Sequence, residues 1–504
     1  DNDPEDWIEL WNRGGTPADL GGWALTVGGD PEDEWVIPPV RIPAGGYLLV
    51  WASGKNRPGN GPRRELHTHF KLNSNGDRLR LLGPELPRAT RDERIFPEQG
   101  PDFSFGLPTG DTSGSWRYFS PTTPGAANGT SSITNQTAEV HFSMGRGYCD
   151  APFQLSLACI TPGAVIRYTT NGSPPIEPAG FIYSGPIPIN ATRVIRAVAV
   201  APNHRPSRIQ THSYLFGIPT NRRGLPALSL VTATNHLYGR TGIMEFNPRN
   251  TSQRGPAWER PVSMEYLDPD TGDGFQVDAG IRIQGGDYIR SLYNYRSSSL
   301  PESKYSFRLY FRGEYGQGRL QWRLFPKTTV ASFDTIVLRA GMNDHSNPFL
   351  KDEFVRQLSS EVGQAASHGT FVHLFLNGAY RGYYNPAERI DPDFLQAYHD
   401  GGDRWDVVAQ MGEVREGDGT SWSQLISLAQ TRPATNRLNH LEFARRMDLT
   451  NFVDYLLPNI YVDADDWPHN NWRAAREAVP GALWRFYVWD AEWSFGQPNG
   501  HTVS

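Results

Sequence analysis

The chain has 504 residues, which at roughly 100 to 200 residues per domain predicts about three domains, each long enough to bury its own core. Glycine and proline (51 and 40) exceed their usual combined share of roughly 12%, and with 15 tryptophans they favour many short strands joined by turns over helical bundles. Lys and Arg (48) against Asp and Glu (54) give a net charge of −6, which supplies no basic field of the kind that holds a nucleic-acid backbone or an anionic membrane.

No apolar run approaches the roughly 20 residues of a membrane span. The first residues, Asp1-Asn2-Asp3-Pro4, are polar where a signal peptide is basic and then apolar, so either the protein is not exported or a leader lies outside this sequence. The only cysteines, Cys149 and Cys159, exclude a disulfide framework and a thiolate zinc site. They are compatible with one bridge or with two buried thiols.

Residues 1–127 alternate with a period of two between turn residues, as in Trp7-Ile8-Glu9-Leu10, Tyr47-Leu48-Leu49-Val50-Trp51 and Arg78-Leu79-Arg80-Leu81-Leu82. This pattern predicts an antiparallel sandwich. The runs Asp6-Trp7-Ile8-Glu9-Leu10-Trp11-Asn12, Leu20-Gly21-Gly22-Trp23, Ile42-Pro43-Ala44-Gly45-Gly46-Tyr47 and Phe70-Lys71-Leu72 resemble a lamin-tail domain, an immunoglobulin-like sandwich. Such domains usually carry one more strand ahead of the Trp-Ile-Glu-Leu run, so an exposed sheet edge is expected here. The tryptophans serve either a surface for partners or the cell envelope, or the core of a spacer.

The Asn/Ser/Thr-rich stretch 128–137 reads as a linker, and a second β segment covers 134–216. Thr161-Pro162-Gly163-Ala164-Val165-Ile166-Arg167-Tyr168-Thr169-Thr170-Asn171-Gly172-Ser173-Pro174-Pro175 with Val194-Ile195-Arg196-Ala197-Val198-Ala199 resembles the fibronectin type III-like module of the chitobiase C-terminus. That resemblance implies a spacer, with carbohydrate contact as the alternative.

In 224–504 the strand-like runs Gly280–Ile283 and Phe307–Phe311 are joined by amphipathic stretches, Phe349–Val362 and Leu449–Leu457, that predict helices. The chain is therefore expected to be multidomain: two all-β immunoglobulin-like sandwiches followed by an α+β domain. In that last domain Asp466 and Asn471 have D-x-x-x-x-N spacing, and Asp490 ends the apolar run Trp484–Trp489. The spacing is that by which a kinase catalytic loop offers a carboxylate to the acceptor and an amide oxygen to Mg²⁺; Asp490 would add a second hard oxygen ligand.

The flanking residues make the pattern specific. Asp466-Trp467-Pro468-His469-Asn470-Asn471-Trp472 and Trp484-Arg485-Phe486-Tyr487-Val488-Trp489-Asp490-Ala491-Glu492-Trp493-Ser494-Phe495-Gly496 resemble the spore-coat protein H (CotH) kinase family, atypical relatives of protein kinases. Upstream, Leu338-Arg339-Ala340-Gly341, Lys351-Asp352-Glu353-Phe354 and Phe375–Asn385 extend the resemblance. It implies Asp466 as catalytic base, Asp490 and Asn471 as ligands of Mg or Mn, ATP as phosphate donor and a protein hydroxyl as acceptor.

A glycine-rich nucleotide fingerprint is missing. Gly285 and Gly286 occupy the place of a phosphate-side turn; Lys304, Arg308 and Arg339 are candidate phosphate contacts, with Glu353 as a helix-borne ion-pair partner and Glu388, by analogy with the kinase hinge, facing adenine or ribose. His368, His373 and His469 show no zinc spacing and read as structural. A kinase lobe normally continues well beyond a position like Gly496, so the catalytic domain is expected to be incomplete in this sequence. The reading is an atypical protein kinase, secreted or on the cell surface, acting on an extracellular or envelope protein. The alternative is a non-catalytic surface adhesion or scaffold protein with a kinase-like binding domain.

Overall fold

The computed structural model describes residues 5–27, 33–59, 65–73, 76–100, 102–109, 111, 114–129, 133, 135–176, 178–245, 249–272, 274–285, 290–291, 303–342, 344, 349–399, 401–433 and 435–496. The chain folds as two all-β regions followed by an α+β region.

In the first region two four-stranded sheets close over Ile8, Leu25, Trp35, Ile37, Val50 and Leu66. Among the described residues, strand Asp6–Trp11 pairs on one side only, with Tyr47–Ala52, and so forms the edge of its sheet. The run that resembles a lamin tail thus begins on an edge, as expected.

The second region is built on a five-stranded sheet running Gly147–Cys149, Gln210–Phe216, Arg193–Val200, Val165–Thr169 and Phe181–Ile182. Its core includes Leu155, Ile166, Ile189, Ile195 and Tyr214. Cys149 and Cys159 are both free thiols packed against that core. Of the two readings left open for them, the structure takes the unbridged one.

The regions are tied in series by polar contacts. Arg205 donates to the Glu98 carbonyl at 3.0 Å, and Gln276 of the third region bonds the backbone of Thr211 and Ile209 at 2.7 and 2.8 Å. Beside this second junction Glu265 is fully buried, accepting from the Ser213 amide at 3.1 Å and from the Ser213 hydroxyl. Burial raises its carboxyl from 4.5 to about 7, against the opposing pull of Arg146 and the Ser213 bonds.

The unfolded chain therefore loses this proton near pH 4.5 and the folded chain near pH 7, so the stability held at low pH falls as pH rises through that window. Glu265→Gln, which stays neutral, is expected to flatten the decline. Urea midpoints of the two proteins at about pH 5 and about pH 8 read this directly, on a scale of roughly 2–4 kcal/mol.

The third region opens with a closed barrel of seven strands. Around the barrel they run Ala227–Val231, Arg260–Leu267, Gly274–Gln284, Ser306–Tyr310, Thr335–Arg339, Ala379–Ala387 and Val372–Leu376. Alternation sorts their side chains: Ile281, Ile283, Phe307, Leu309, Ile336 and Leu338 fill the barrel, while Arg282, Arg308 and Arg339 stand on its outer face. Asn377 and Gly378, at φ 50° and 79°, turn the last hairpin.

Helix Lys351–Glu361 starts where Asp344 accepts from the Leu350 and Lys351 amides at 2.8 and 3.0 Å. A second lobe follows, a four-stranded sheet of Val414–Glu416, Trp405–Ala409, Trp472–Glu477 and Arg485–Val488, covered by helices that include Thr420–Thr431 and Leu449–Tyr461. No helix among the described residues is long and apolar enough to cross a membrane.

Candidate active site at the Asp466, Asn471 and Asp490 cluster

Strands Trp472–Glu477 and Arg485–Val488 pair antiparallel with Trp472 opposite Val488. That register carries the residues just outside the ladder, Asn471 and Asp490, to the same sheet end, although they are 19 positions apart. Both have a left-handed backbone, φ 56° and 60°, which Asn and Asp tolerate better than most residues.

The Asn471 amide links the two acids. Its Nδ2 donates to Asp466 Oδ2 at 3.0 Å and to the Asp490 carbonyl at 3.0 Å. Asn470 Nδ2 and His469 Nε2 both lie 3.1 Å from Asp466 Oδ1. The loop carrying Asp466 is pinned from both sides: the Asp465 amide bonds the Trp493 carbonyl at 2.8 Å, and the Phe495 amide bonds Val462 at 2.6 Å. Trp467 donates from its indole to the Tyr455 hydroxyl at 2.6 Å. The Asp466 and Asp490 side chains remain 35% and 34% exposed, enough to receive a ligand.

Arg339 reaches this centre from the barrel. Its guanidinium bonds the Asp490 carboxylate, Glu492 at 3.0 Å and Asp352 at 3.1 Å. Burial disfavours the Arg339 charge, but the three carboxylates outweigh it and hold its pKa well above the ordinary value. Asp352 is likewise penalised by burial and rescued by Arg339, Arg356 and the Ala491 amide, which leave its pKa below the usual carboxylate range.

The residues expected on the nucleotide side divide. Arg339 lies at the acid centre as a clamp on Asp490. Lys304 is buried, donating to the Tyr383 carbonyl at 2.7 Å among the rings of Phe349, Tyr383 and Tyr384. Arg308 donates to Thr335 at 3.0 Å and packs on Tyr310. Glu353 is paired with Arg356 at 2.8 Å and Asn385 at 3.0 Å, not with Lys304. Glu388, expected to face a nucleotide, instead turns inward to Tyr398 at 2.8 Å and His368 at 2.9 Å, because those two rings supply donors in a buried site. Gly285 takes φ 81° with open space around its α-carbon, and Gly286 lies outside the described residues.

Glu388→Gln is accordingly expected to leave nucleotide affinity within about twofold of wild type while lowering stability by about 1–3 kcal/mol. Parallel nucleotide titration and denaturation check both parts.

Three contributors escaped the sequence reading. Asp352 belongs to a helix motif far away in sequence, Glu492 stands two positions after Asp490, and His469, which the sequence marks as structural, touches Asp466. The acid two residues from Asp490 was the available signal for Glu492.

Family models match three stretches of the chain. Residues 281–503 match the family model of the CotH kinase protein. Ahead of it, residues 155–214 match Fn3 associated and residues 1–87 match the Lamin Tail Domain. The C-terminal region is thus similar to the CotH kinase protein family over these residues, and its barrel begins earlier than the match, at Ala227. No curated protein matches the chain.

A divalent ion fits this centre in its donor set. Asp466, Asp490 and the Asn471 amide oxygen are hard ligands of the kind Mg²⁺ and Mn²⁺ take, and both carboxylates are partly open. Among the described residues no three His, Cys, Asp or Glu side chains form a cage. The centre suits an ion that keeps waters or takes phosphate oxygens as further ligands.

Proposed function

We propose that the CotH kinase-like domain transfers the γ-phosphate of ATP to a hydroxyl of a protein acceptor. Supporting this most directly is the Asn471 bridge, which ties the Asp466 carboxylate to the Asp490 backbone, so that the proposed base and the proposed metal ligand belong to one hydrogen-bonded cluster. Asp466 would orient the acceptor hydroxyl and take its proton as the acceptor oxygen bonds to the γ-phosphorus and the bond to the ADP oxygen breaks. Asp490 and Asn471 would hold the ion, and a bound Mg²⁺ or Mn²⁺ neutralises phosphate charge. Arg339 holds the Asp490 carboxylate in place through their ion pair.

The protein is proposed to be secreted or held at the cell surface, with the lamin-tail and fibronectin type III-like regions carrying the enzyme to an extracellular or envelope protein acceptor. A non-catalytic surface scaffold is the second reading, favoured by one observation: Lys304 and Glu388 are engaged inside the protein. Incubation with γ-labelled ATP and Mg²⁺ or Mn²⁺ separates the two. The kinase labels itself or an added hydroxyl-rich protein, and a chelator stops it. Metal-independent labelling, or none by wild type under either ion, rejects the kinase.

A further inference from the structure

On the outer face of the barrel Arg282 and Arg308 stand directly opposite each other across the ladder between Gly274–Gln284 and Ser306–Tyr310. Like charges so placed repel. Arg312 joins them: the three guanidinium carbons lie 5.1, 4.6 and 5.1 Å from the centre of the Tyr310 ring. Tyr310 is only 5% exposed, and its hydroxyl, though beside Arg308, finds no acceptor for its proton. The buried Nε of Arg282 has no hydrogen-bond partner either. A buried donor without an acceptor costs about 1–3 kcal/mol, and here two belong to residues packed on each other.

Acids also stand around the cluster, Glu314 among them. Glu259 pairs with Arg312 at 3.2 Å, and Asp393 is taken by Arg319 at 2.7 Å. Asp391 lies 4.0 Å from Arg308. Burial and then the neighbouring Asp334 push the Asp391 carboxyl well above the usual range, and Asp334 itself is raised to about 6 by burial and by Asp393. Arg308, Tyr310 and Arg312 line a cleft of about 2300 Å³ whose opposite wall is the N-terminal sandwich, with Trp7, Trp11 and Trp51.

We propose that Arg282, Arg308 and Arg312, gathered around Tyr310, form an oxyanion site for a phosphate-bearing ligand that enters through this cleft. The anion offsets the Arg282–Arg308 repulsion and accepts from the Tyr310 hydroxyl and the unpaired Arg282. The site does not depend on Asp466 or Asp490, and so stands apart from the phosphotransfer reading.

Calorimetric titration of the full chain with inorganic pyrophosphate, without divalent ions, tests it. Arg282→Gln is expected to weaken binding by about tenfold or more and Tyr310→Phe by about threefold, with Arg282→Lys recovering part of the loss. Asp490→Ala should bind as wild type does. Unchanged affinity in both Arg282→Gln and Tyr310→Phe, with melting temperatures showing both folded, overturns the site. So does loss of binding in Asp490→Ala alone, or no binding by wild type at millimolar pyrophosphate. A competition arm with ATP assigns the source: displacement makes the phosphate that of a nucleotide, and persistence makes it that of a separate ligand, the site standing in both cases.

Discussion

Arg339→Met is expected to lower stability by about 3–5 kcal/mol, the largest loss of any single substitution at the centre. Methionine fills similar volume, so the effect is not a cavity. It comes from Asp352 and Glu492, each 6% or less exposed on its residue or side chain, which lose their shared cation in a place where water cannot replace it. Arg356 remains beside Asp352 at 3.0 Å, but Glu492 loses the ion pair it makes with Arg339. Replacing Arg339 and Glu492 together by neutral residues should recover part of the loss, because the pair then disappears as a unit. Denaturant melts of the single and double variants measure this coupling. A single-variant cost below about 1 kcal/mol would show that the clamp is dispensable for folding.

Asp466→Asn and Asp490→Ala are expected to lower phosphate transfer by about a thousandfold or more each, with little change in stability. The side chains are about a third exposed, so neither leaves a buried void. Their kinetic signatures should differ. Asp466→Asn can still accept from Asn471 through its one amide oxygen, losing the bond from Asn470, while removing the base, so nucleotide affinity should hold as kcat falls. Asp490→Ala removes the carboxylate proposed to bind the ion while Arg339 keeps Asp352 and Glu492, so the metal dependence should shift to higher concentration. Initial rates with labelled ATP across a metal titration distinguish them. Full activity in either variant would remove that residue from the proposed chemistry.

How much of this could be read from sequence varied with the distance over which partners had to be found. The Asp466–Asn471 spacing was legible because a loop of six residues fixes both groups locally. Asp490 was legible because an apolar run ends on it, and the antiparallel register then does the rest. Arg339 was placed in the right neighbourhood, but its acids lie 151 and 153 positions away, so a clamp looked like a phosphate contact. For Glu388 the hinge analogy gave a ligand-facing role, whereas Tyr398 and His368 enclose it. Alternation announced barrel strands at Gly280–Ile283 and Phe307–Phe311. It held no sign of closure, which depends on parallel pairing of Ala227–Val231 with Val372–Leu376 across most of the domain.

The closed ring of seven strands has a further consequence for assembly. A sheet that meets itself offers no row of unpaired amides and carbonyls, so a visiting peptide cannot extend it by lying alongside, nor can two copies zip together through it. An acceptor that meets the barrel is recognised there by side chains and loops, read by shape and charge. Among the described residues the open sheets keep such edges, and Asp6–Trp11 of the first region, paired on one side, is one of them.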